Sequence, residues 1–404
     1  MIDKKPQQVE GDLELSIVIP CLNEERTVGD CVAQARDFLT ENHLQGEVIV
    51  ADNGSTDRSA EIAQSKGAHV VEVADKGYGN ALRAGFSAAR GGFIIMADSD
   101  GSHDLLHLMP ILDQLRLGYE LVVGNRFRGG IAKGAMRWHH RYIGNPLLSF
   151  IGRLLFRTPV GDFHCGLRGL TREAVTRMKL HSAGMELASE IIVKASILGM
   201  RVCEVPVRML PDRRGRAPHL RSFSDGWRHL RFLLMFSPRW LFAYPGLALL
   251  AIGTLVSLVL SFGPLRLPFL LVDFHSFIIA GTFMILGITL LSFFAITRVY
   301  TYHTGLLPKL PGFYSLFKVF NLEKGLVLGF VLLLLGIGVM LYAIYQSQTA
   351  GFETIGFVRS VRLVFGGSLA VILGVQVILT SIMLSMLGIK ISPPVSSIDP
   401  EYRN

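Results

Sequence analysis

Residues Ile94 to Asp104 read IIMADSDGSHD, an apolar run that ends in two carboxylates one residue apart, Asp98 and Asp100, with Gly, Ser and His directly after. A polar loop closing a strand would use such residues, and so would a strand that delivers two carboxylates to a bound cation. Carboxylates this close repel each other unless a cation or a cationic side chain lies between them. Hard cations such as Mg²⁺ are held by one or two carboxylates together with phosphate oxygens, which suits this pair.

The surrounding sequence alternates between short β-branched runs and amphipathic stretches. The pattern predicts strands at 15–20, 46–52, 69–74, 92–98 and 120–126, and helices at 27–39, 59–66, 79–90 and 105–117. This succession implies βαβ units, an α/β domain with a Rossmann-like, mainly parallel sheet. Ligands of such sheets bind beyond the carboxyl ends of the strands. Three expected strand ends carry polar residues: Asn23 and Glu24, Asp52 and Asn53, then Asp98 and Asp100. Ser55, Thr56 and Asp57 suit helix capping. No GxGxxG follows the first strand and no GxxxxGK[ST] loop occurs, which argues against a dinucleotide dehydrogenase or a P-loop NTPase. In KGYGNALRAG (76–85), Gly77 stands where backbone can approach a phosphate, or where a tight turn is needed.

Half of the 404 residues are hydrophobic, and they are unevenly spread. Charge is dense up to Arg239; beyond it come four runs, 241–262, 276–297, 326–345 and 363–387, that approach or exceed the ~20 residues needed to cross a bilayer as a helix. The expected organisation is a tail (1–12), an α/β domain (13–210), an arginine-rich juxtamembrane segment with an interfacial helix (211–240), a bundle of four transmembrane helices (241–388) and a second tail (389–404). No signal-type apolar stretch precedes the first domain. The loop after the second run holds Arg298, Lys309, Lys318 and Lys324, against Arg266 alone in the loop before it. By the positive-inside rule the α/β domain and both termini are expected in the cytoplasm of a multi-pass cell-membrane protein. Cys21, Cys31, Cys165 and Cys203 show no close paired spacing and are expected to be small buried thiols.

The ordered set IPCLNEERT, ADNGSTD, DKGYGNALRAG, MADSDGSHD and VVGNRF resembles family 2 glycosyltransferases of the GT-A fold. With DFHCGLRGLTREA, MELASEIIVKASILGMRVCEVPV and RRGRAPHLRSF the resemblance narrows to the dolichol-phosphate mannose synthase and polyprenyl-phosphate glycosyltransferase branch, over residues 13–235. It implies that Pro20, Asn23, Glu24 and Asp52 meet the base and ribose of a nucleotide sugar; Gly77 is a further candidate for the nucleotide site from its own glycine-rich stretch. It also implies that Asp98 and Asp100 bridge the diphosphate through Mg²⁺ or Mn²⁺. Ser99 replaces the Ala that many relatives carry.

Between Arg208 and Arg239 there are eight arginines against Asp212 and Asp225, and no lysine. Arginine matches phosphate oxygens through a planar fork, although attraction to anionic lipid would also enrich such a segment. The candidates for an acceptor phosphate are Arg126, Arg168, Arg214, Arg216 and Arg221, Arg126 and Arg168 resting on the resemblance. A phosphate monoester carries roughly −1.5 to −2 charge and needs no base; Asp162, Glu186 and Glu190 could act as bases, or as partners of arginine or structural residues. The expected reaction is metal-dependent, inverting transfer of a hexose from a GDP-mannose or UDP-glucose type donor to a polyprenyl phosphate, with no nucleic-acid partner. Alternatives are a processive polysaccharide synthase, whose QxxRW motif is absent, a noncatalytic nucleotide-sugar sensor, and a lipid translocator. The spans have almost no central ionisable residues, which disfavours translocation. Thr282, Thr289, Gln376 and Thr380 are expected to join helices, and the bundle to anchor the protein and to offer an oligomerisation surface.

Overall fold

The computed structural model describes residues 13–215, 222–261, 265–267, 270–272, 274–303, 322–349 and 354–388. The chain divides into two compact units between Ser237 and Pro238.

The first unit is built on β1 (Leu15–Cys21), whose seven residues are all buried, as befits a strand covered on both faces. It pairs in parallel with β2 (Gly46–Asp52) on one side and β4 (Phe93–Met96) on the other. With β3 (His69–Glu72), β5 (Leu121–Asn125), β6 (Arg168–Thr171) and β7 (Val202–Pro206) the sheet runs β3-β2-β1-β4-β6-β5-β7. Only β6 is antiparallel, wedged between β4 and β5. The strand order reverses direction at β1, so the ends of β1, β2 and β4 open onto one crevice.

The five expected strands are present, but β4 stops at Met96, so Asp98 and Asp100 stand in the loop beyond it. The helices α1 (Val28–Glu41), α2 (Ser59–Ser65) and α3 (Tyr78–Ala88) lie where the periodicity places them. The next, α4 (Met109–Arg116), starts four residues later than expected, with Pro110 in its first turn, where a missing N–H costs nothing. Short α5 (Arg126–Gly129) follows β5. α7 (Arg172–Met178) and α8 (Leu187–Ile197) complete the layers.

Two helices differ from expectation. The periodicity does not reveal α6 (Asn145–Phe156), which is inverted. Its inner face is Ser149 and Gly152, packed on Phe163, while Ile143, just before it, and Leu147, Phe150 and Leu154 stand about half exposed. The expected interfacial helix is interrupted: α9 (Ser222–Met235) ends before Ser237, and a wide turn (Arg239–Ala243) starts the second unit. Leu233 of α9 belongs to the core of the first unit, and its His229 shares a 2.9 Å hydrogen bond with Ser189 Oγ on α8. All four cysteines are free thiols; burial pushes Cys21, Cys31 and Cys165 up to about 12.

Among the described residues the second unit has four helices long and apolar enough to cross a membrane, Arg239–Leu260, His275–Tyr302, Leu322–Thr349 and Ser360–Leu387. They pack as two hairpins joined by the same device. In the first, Gly246 and Gly253 face Gly287 and Ala280; in the second, Gly329 and Gly336 face Gly374 and Gly367. Each pair is seven residues apart, two helical turns, so the small residues meet in register along antiparallel helices. The absence of side chains lets backbones touch where apolar burial supplies no drive. Across the hairpins, Gln376 Nε2 donates to Thr289 Oγ1 (2.8 Å) and Thr380 Oγ1 to Ser292 Oγ (2.9 Å). Thr282 instead bonds back to Ile278 O within its own helix.

A side chain at Gly374 would place its Cβ 2.7 Å from Gly329 O, whereas one at Gly338 meets no described atom within 4 Å. Gly374→Leu should therefore lower the unfolding stability of the bundle by about 1–3 kcal/mol, and Gly338→Ala should not. Unfolding in mixed micelles would show equal effects if this packing is wrong.

Candidate active site

The crevice beyond β1, β2 and β4 is assembled by loops that bind one another. After β1, Asn23 turns the chain in the left-handed region (φ 55°), which Asn tolerates better than most residues. Its N–H donates to Ser55 Oγ (2.9 Å), and its Oδ1 accepts from Thr56 N (2.7 Å). Glu24 N donates to Ser59 Oγ (2.7 Å). Asp52 accepts from Ser55 N and from Ser55 Oγ, and Asp57 accepts from Ser59 N at the start of α2. The first two strand ends are thus one cross-braced platform. Pro20 and Cys21 lie in β1 beneath it, and Asp52 and Glu24 are nearly buried.

Gly77 does not offer its helix to a phosphate. At φ 137° its Cβ would strike Ala183 O, and that carbonyl already accepts from Gly79 N (2.9 Å) and Asn80 N (3.2 Å), the first turn of α3. The Ala183 loop is held by Glu190, which accepts from His181 N and Ser182 N and pairs with Lys194 Nζ (2.7 Å). The glycine therefore serves close packing, in keeping with the tight-turn alternative. This packing places Tyr78, the first residue of α3, so that its hydroxyl donates to Asp98 Oδ1 (2.9 Å).

Asp98 is compensated on several sides. His103 Nε2 stands 3.7 Å from its Oδ2. Burial opposes its ionisation, but His103, the Tyr78 hydroxyl and the charge of Arg126 hold the carboxyl below the usual range. The other carboxylate, Asp100, accepts from Ser102 N (2.9 Å) and lies 3.1 Å from Arg214 Nη2. Arg214 also reaches Glu24 Oε1 (3.5 Å) and Asp212 Oδ2 (3.4 Å). Burial weakens its charge, yet Asp100, Glu24 and Asp212 more than offset that and raise its pKa.

Two expected site residues are structural. Arg168 is fully buried and donates to the carbonyls of Cys165, Ala188 and Phe163; it knits β6 to the following helices and is not presented to an acceptor phosphate. Asp162, also fully buried, accepts from Arg126 Nε (2.7 Å), Nη2 (2.8 Å) and N (3.2 Å), and from His164 N (3.3 Å). Both its oxygens are committed, which is the arginine-partner alternative rather than that of a base. Burial opposes its ionisation, but the charge and hydrogen bonds of Arg126 keep the carboxyl below the usual range. Arg126, expected at the acceptor phosphate, is 7% exposed and directs Nε and Nη2 to this lock. Glu204 secures the same turn, accepting from Gly161 N (2.6 Å) and Asp162 N (3.0 Å). Arg216 and Arg221 lie outside the described residues.

Tyr78, His103 and Glu204 are not singled out by the sequence pattern. The first two sit within the glycine-rich and acidic motifs, but their partners are remote in sequence. An open cavity of about 700 Å³ lies elsewhere, between α3 and α7, lined by Asp75, Arg83, Phe86 and Arg172 among others; it holds none of the expected site residues.

Among the described residues no group of three or more His, Cys, Asp or Glu side chains is arranged to hold a metal ion. The Asp98–Asp100 pair nonetheless fits a hard cation that brings phosphate oxygens with it. It supplies oxygen donors only, and a guanidinium already stands against Asp100 as a stand-in cation.

Residues 16–178 match the family described as glycosyl transferase family 2, and residues 295–388 match the glycosyltransferase family 2 C-terminal transmembrane region. The chain is 35% identical over 93% of its length, and 89% of the relative's, to the low-salt glycan biosynthesis hexosyltransferase Agl6 of Haloferax volcanii. It is 30% identical, over 48% of its length and 82% of the relative's, to a dolichyl-phosphate hexose transferase of the same organism. Among solved structures, glucosyl-3-phosphoglycerate synthase from Mycobacterium tuberculosis with Mn²⁺, UDP-glucose and phosphoglyceric acid aligns with 56% of the chain and 80% of its own, at 23% identity and a TM-score of 0.44.

Asp162→Asn should leave Arg126 buried without a counter-charge and cost about 3–5 kcal/mol. Because the folded pKa of Asp162 lies below its unfolded value of about 3.9, its contribution is complete above that pH and is lost as pH falls toward the folded value. The variant should lose that part of the acid dependence. Urea unfolding from pH 3 to 7 checks both points, and a wild-type-like profile contradicts them.

Proposed function

The chain belongs to glycosyltransferase family 2, is a hexosyltransferase with a membrane region, and from that premise we propose that it moves a hexose from a nucleoside-diphosphate sugar to a polyprenyl phosphate, with inversion at the anomeric carbon. The observation that carries this reading is the pairing of an acidic loop with an arginine segment: Asp98 and Asp100 on the donor side, and Arg214 beside them at the start of the stretch that leads to α9. Arg214, Arg216 and Arg221 are the proposed acceptor-phosphate residues. The platform of Pro20, Asn23, Glu24 and Asp52 receives the nucleotide, with Asn23 and Asp52 shaping the loops through Thr56 and Ser55.

In the proposed step a phosphate oxygen of the acceptor attacks the anomeric carbon as the bond from that carbon to the donor diphosphate breaks. The electron pair leaves with the nucleoside diphosphate. An acceptor already ionised requires no proton removal, which agrees with Asp162 and Glu190 being tied to Arg126 and Lys194. Asp98 and Asp100 would hold Mg²⁺ or Mn²⁺, which when bound neutralises charge building on the leaving diphosphate. Tyr78 and His103 orient the Asp98 carboxylate for that task.

The inverted helix α6 supports a lipid acceptor. A stripe of Ile143, Leu147, Phe150 and Leu154 at 53, 53, 54 and 47% exposure is unusual on a water-facing helix. Trp138, Tyr142, Arg137 and Arg141 precede it, the composition of an interfacial segment. We assign this face to the bilayer surface, on the cytoplasmic side favoured by the loop charges.

Asp100→Asn should abolish transfer of hexose from UDP- or GDP-sugars into the organic-extractable fraction while leaving the thermal melt intact; normal transfer by a folded variant refutes the donor-side assignment. Leu147→Glu with Phe150→Glu should reduce transfer to a long-chain polyprenyl phosphate in liposomes about tenfold or more, because each large apolar side chain withdrawn from lipid forfeits roughly 1.5–3 kcal/mol. Transfer to a short isoprenyl phosphate in detergent should be spared, and an equal loss on both acceptors contradicts membrane docking.

A further inference from the structure

Arg214 occupies a place that the donor itself needs. Its guanidinium is surrounded by three carboxylates, Asp100 (3.1 Å), Asp212 (3.4 Å) and Glu24 (3.5 Å), and its side chain is 13% exposed. Its Nε is buried without a hydrogen-bond partner, so charge holds it there with one donor unmet. The backbone around it is strapped to the acidic loop. Met209 bridges to His103 and to Ile131. Leu210 N donates to Ser102 O (2.8 Å), and Arg213 N to Asp100 O (3.1 Å). Directly after Arg214, Gly215 stands in the left-handed region (φ 68°).

We propose that Arg214 is the resident counter-cation of Asp100, that a divalent cation arriving with the donor diphosphate displaces it, and that the released guanidinium is then the one that receives the acceptor phosphate. This inference rests on the reading of the donor site given above. A guanidinium 3.1 Å from Asp100 Oδ2 and a divalent ion on the same carboxylate are like charges at close range in a partly dry crevice, where repulsion is poorly screened. They cannot both keep the carboxylate. Once Asp100 is shared with a metal, Arg214 loses its strongest partner and gains from a dianionic phosphate, to which it can turn its fork. The exchange imposes an order, donor before acceptor. An empty site keeps Arg214 paired with Asp100, so an acceptor lipid arriving first meets an occupied arginine. Arg214 thus couples the two substrates, and linkage requires the coupling to be reciprocal.

The test uses full-length protein in detergent with Mn²⁺ alone, its free concentration read by electron paramagnetic resonance. Arg214→Gln should bind Mn²⁺ at least about fivefold more tightly than wild type. Arg213→Gln, whose side chain is exposed and outside the ion-pair cluster, should match wild type. With a short isoprenyl phosphate as probe, Mn²⁺ plus nucleoside diphosphate should strengthen binding in wild type but not in Arg214→Gln. Equal or weaker Mn²⁺ binding by Arg214→Gln overturns the exchange. Should that variant fail to fold, Arg214→Met, an unbranched side chain of similar reach without charge, should also tighten Mn²⁺, and unchanged affinity overturns the proposal equally. If wild type binds Mn²⁺ and Asp100→Asn does not, but Arg214 variants change nothing, only the exchange falls. If wild type shows no Asp100-dependent Mn²⁺ binding, the metal reading of the donor site falls and takes the exchange with it.

Discussion

Two carboxylates one residue apart must be compensated by positive charge or hydrogen-bond donors, and the catalytic unit is arranged around meeting that demand. Asp98 is served by Tyr78 and His103, with the charge of Arg126 behind them. Asp100 is served by Ser102 N and Arg214. Each compensating group is itself held from elsewhere. Tyr78 depends on the Ala183 carbonyl that caps α3, that loop depends on Glu190 and Lys194, and Arg214 depends on a strap running from β7. Even Gly166 belongs to this set, since a Cβ there would collide with the Asp98 carboxylate.

The other charges near the crevice behave differently. Arg126–Asp162 and Lys194–Glu190 are locked pairs with both partners almost fully buried. Breaking a buried pair is costly, although forming it from water yields little net stability. Such pairs are suited to holding loops in one geometry and unsuited to moving protons. The crevice therefore combines almost fully buried ion pairs that shape it with a less buried pair, Arg214–Asp100, at the acidic loop. An acceptor that arrives as an anion suits a site whose nearby carboxylates are occupied.

The membrane unit solves a separate problem with different means. Lipid removes the usual advantage of burying apolar side chains, so its helices associate through close backbone approach at Gly246, Gly253, Gly329, Gly336, Gly367 and Gly374, and through the Gln376–Thr289 and Thr380–Ser292 hydrogen bonds. Each hairpin carries its small residues at a seven-residue interval. The same chain shows a like arrangement on α6, where small residues face the protein and large apolar ones face outward. Both arrangements reverse the pattern of a helix in water.

Features whose physics is local are legible in the chain before it folds. Short β-branched apolar runs mark the first five strands, 3.6-residue periodicity the first helices, and unbroken apolar length the four spans. The DSD stretch marks its own need for a cation, because like-charge repulsion acts between neighbours in the chain. What lies far apart in sequence was decided only by folding. β6 is four residues with an arginine at its head, and its place between β4 and β5 follows from pairing partners remote in the chain. Arg168, Arg126 and Arg214 are one residue type in similar polar contexts, yet one binds carbonyls, one a buried carboxylate and one the acidic loop. Composition cannot separate these roles, because a guanidinium takes whichever acceptors the fold brings within about 3 Å.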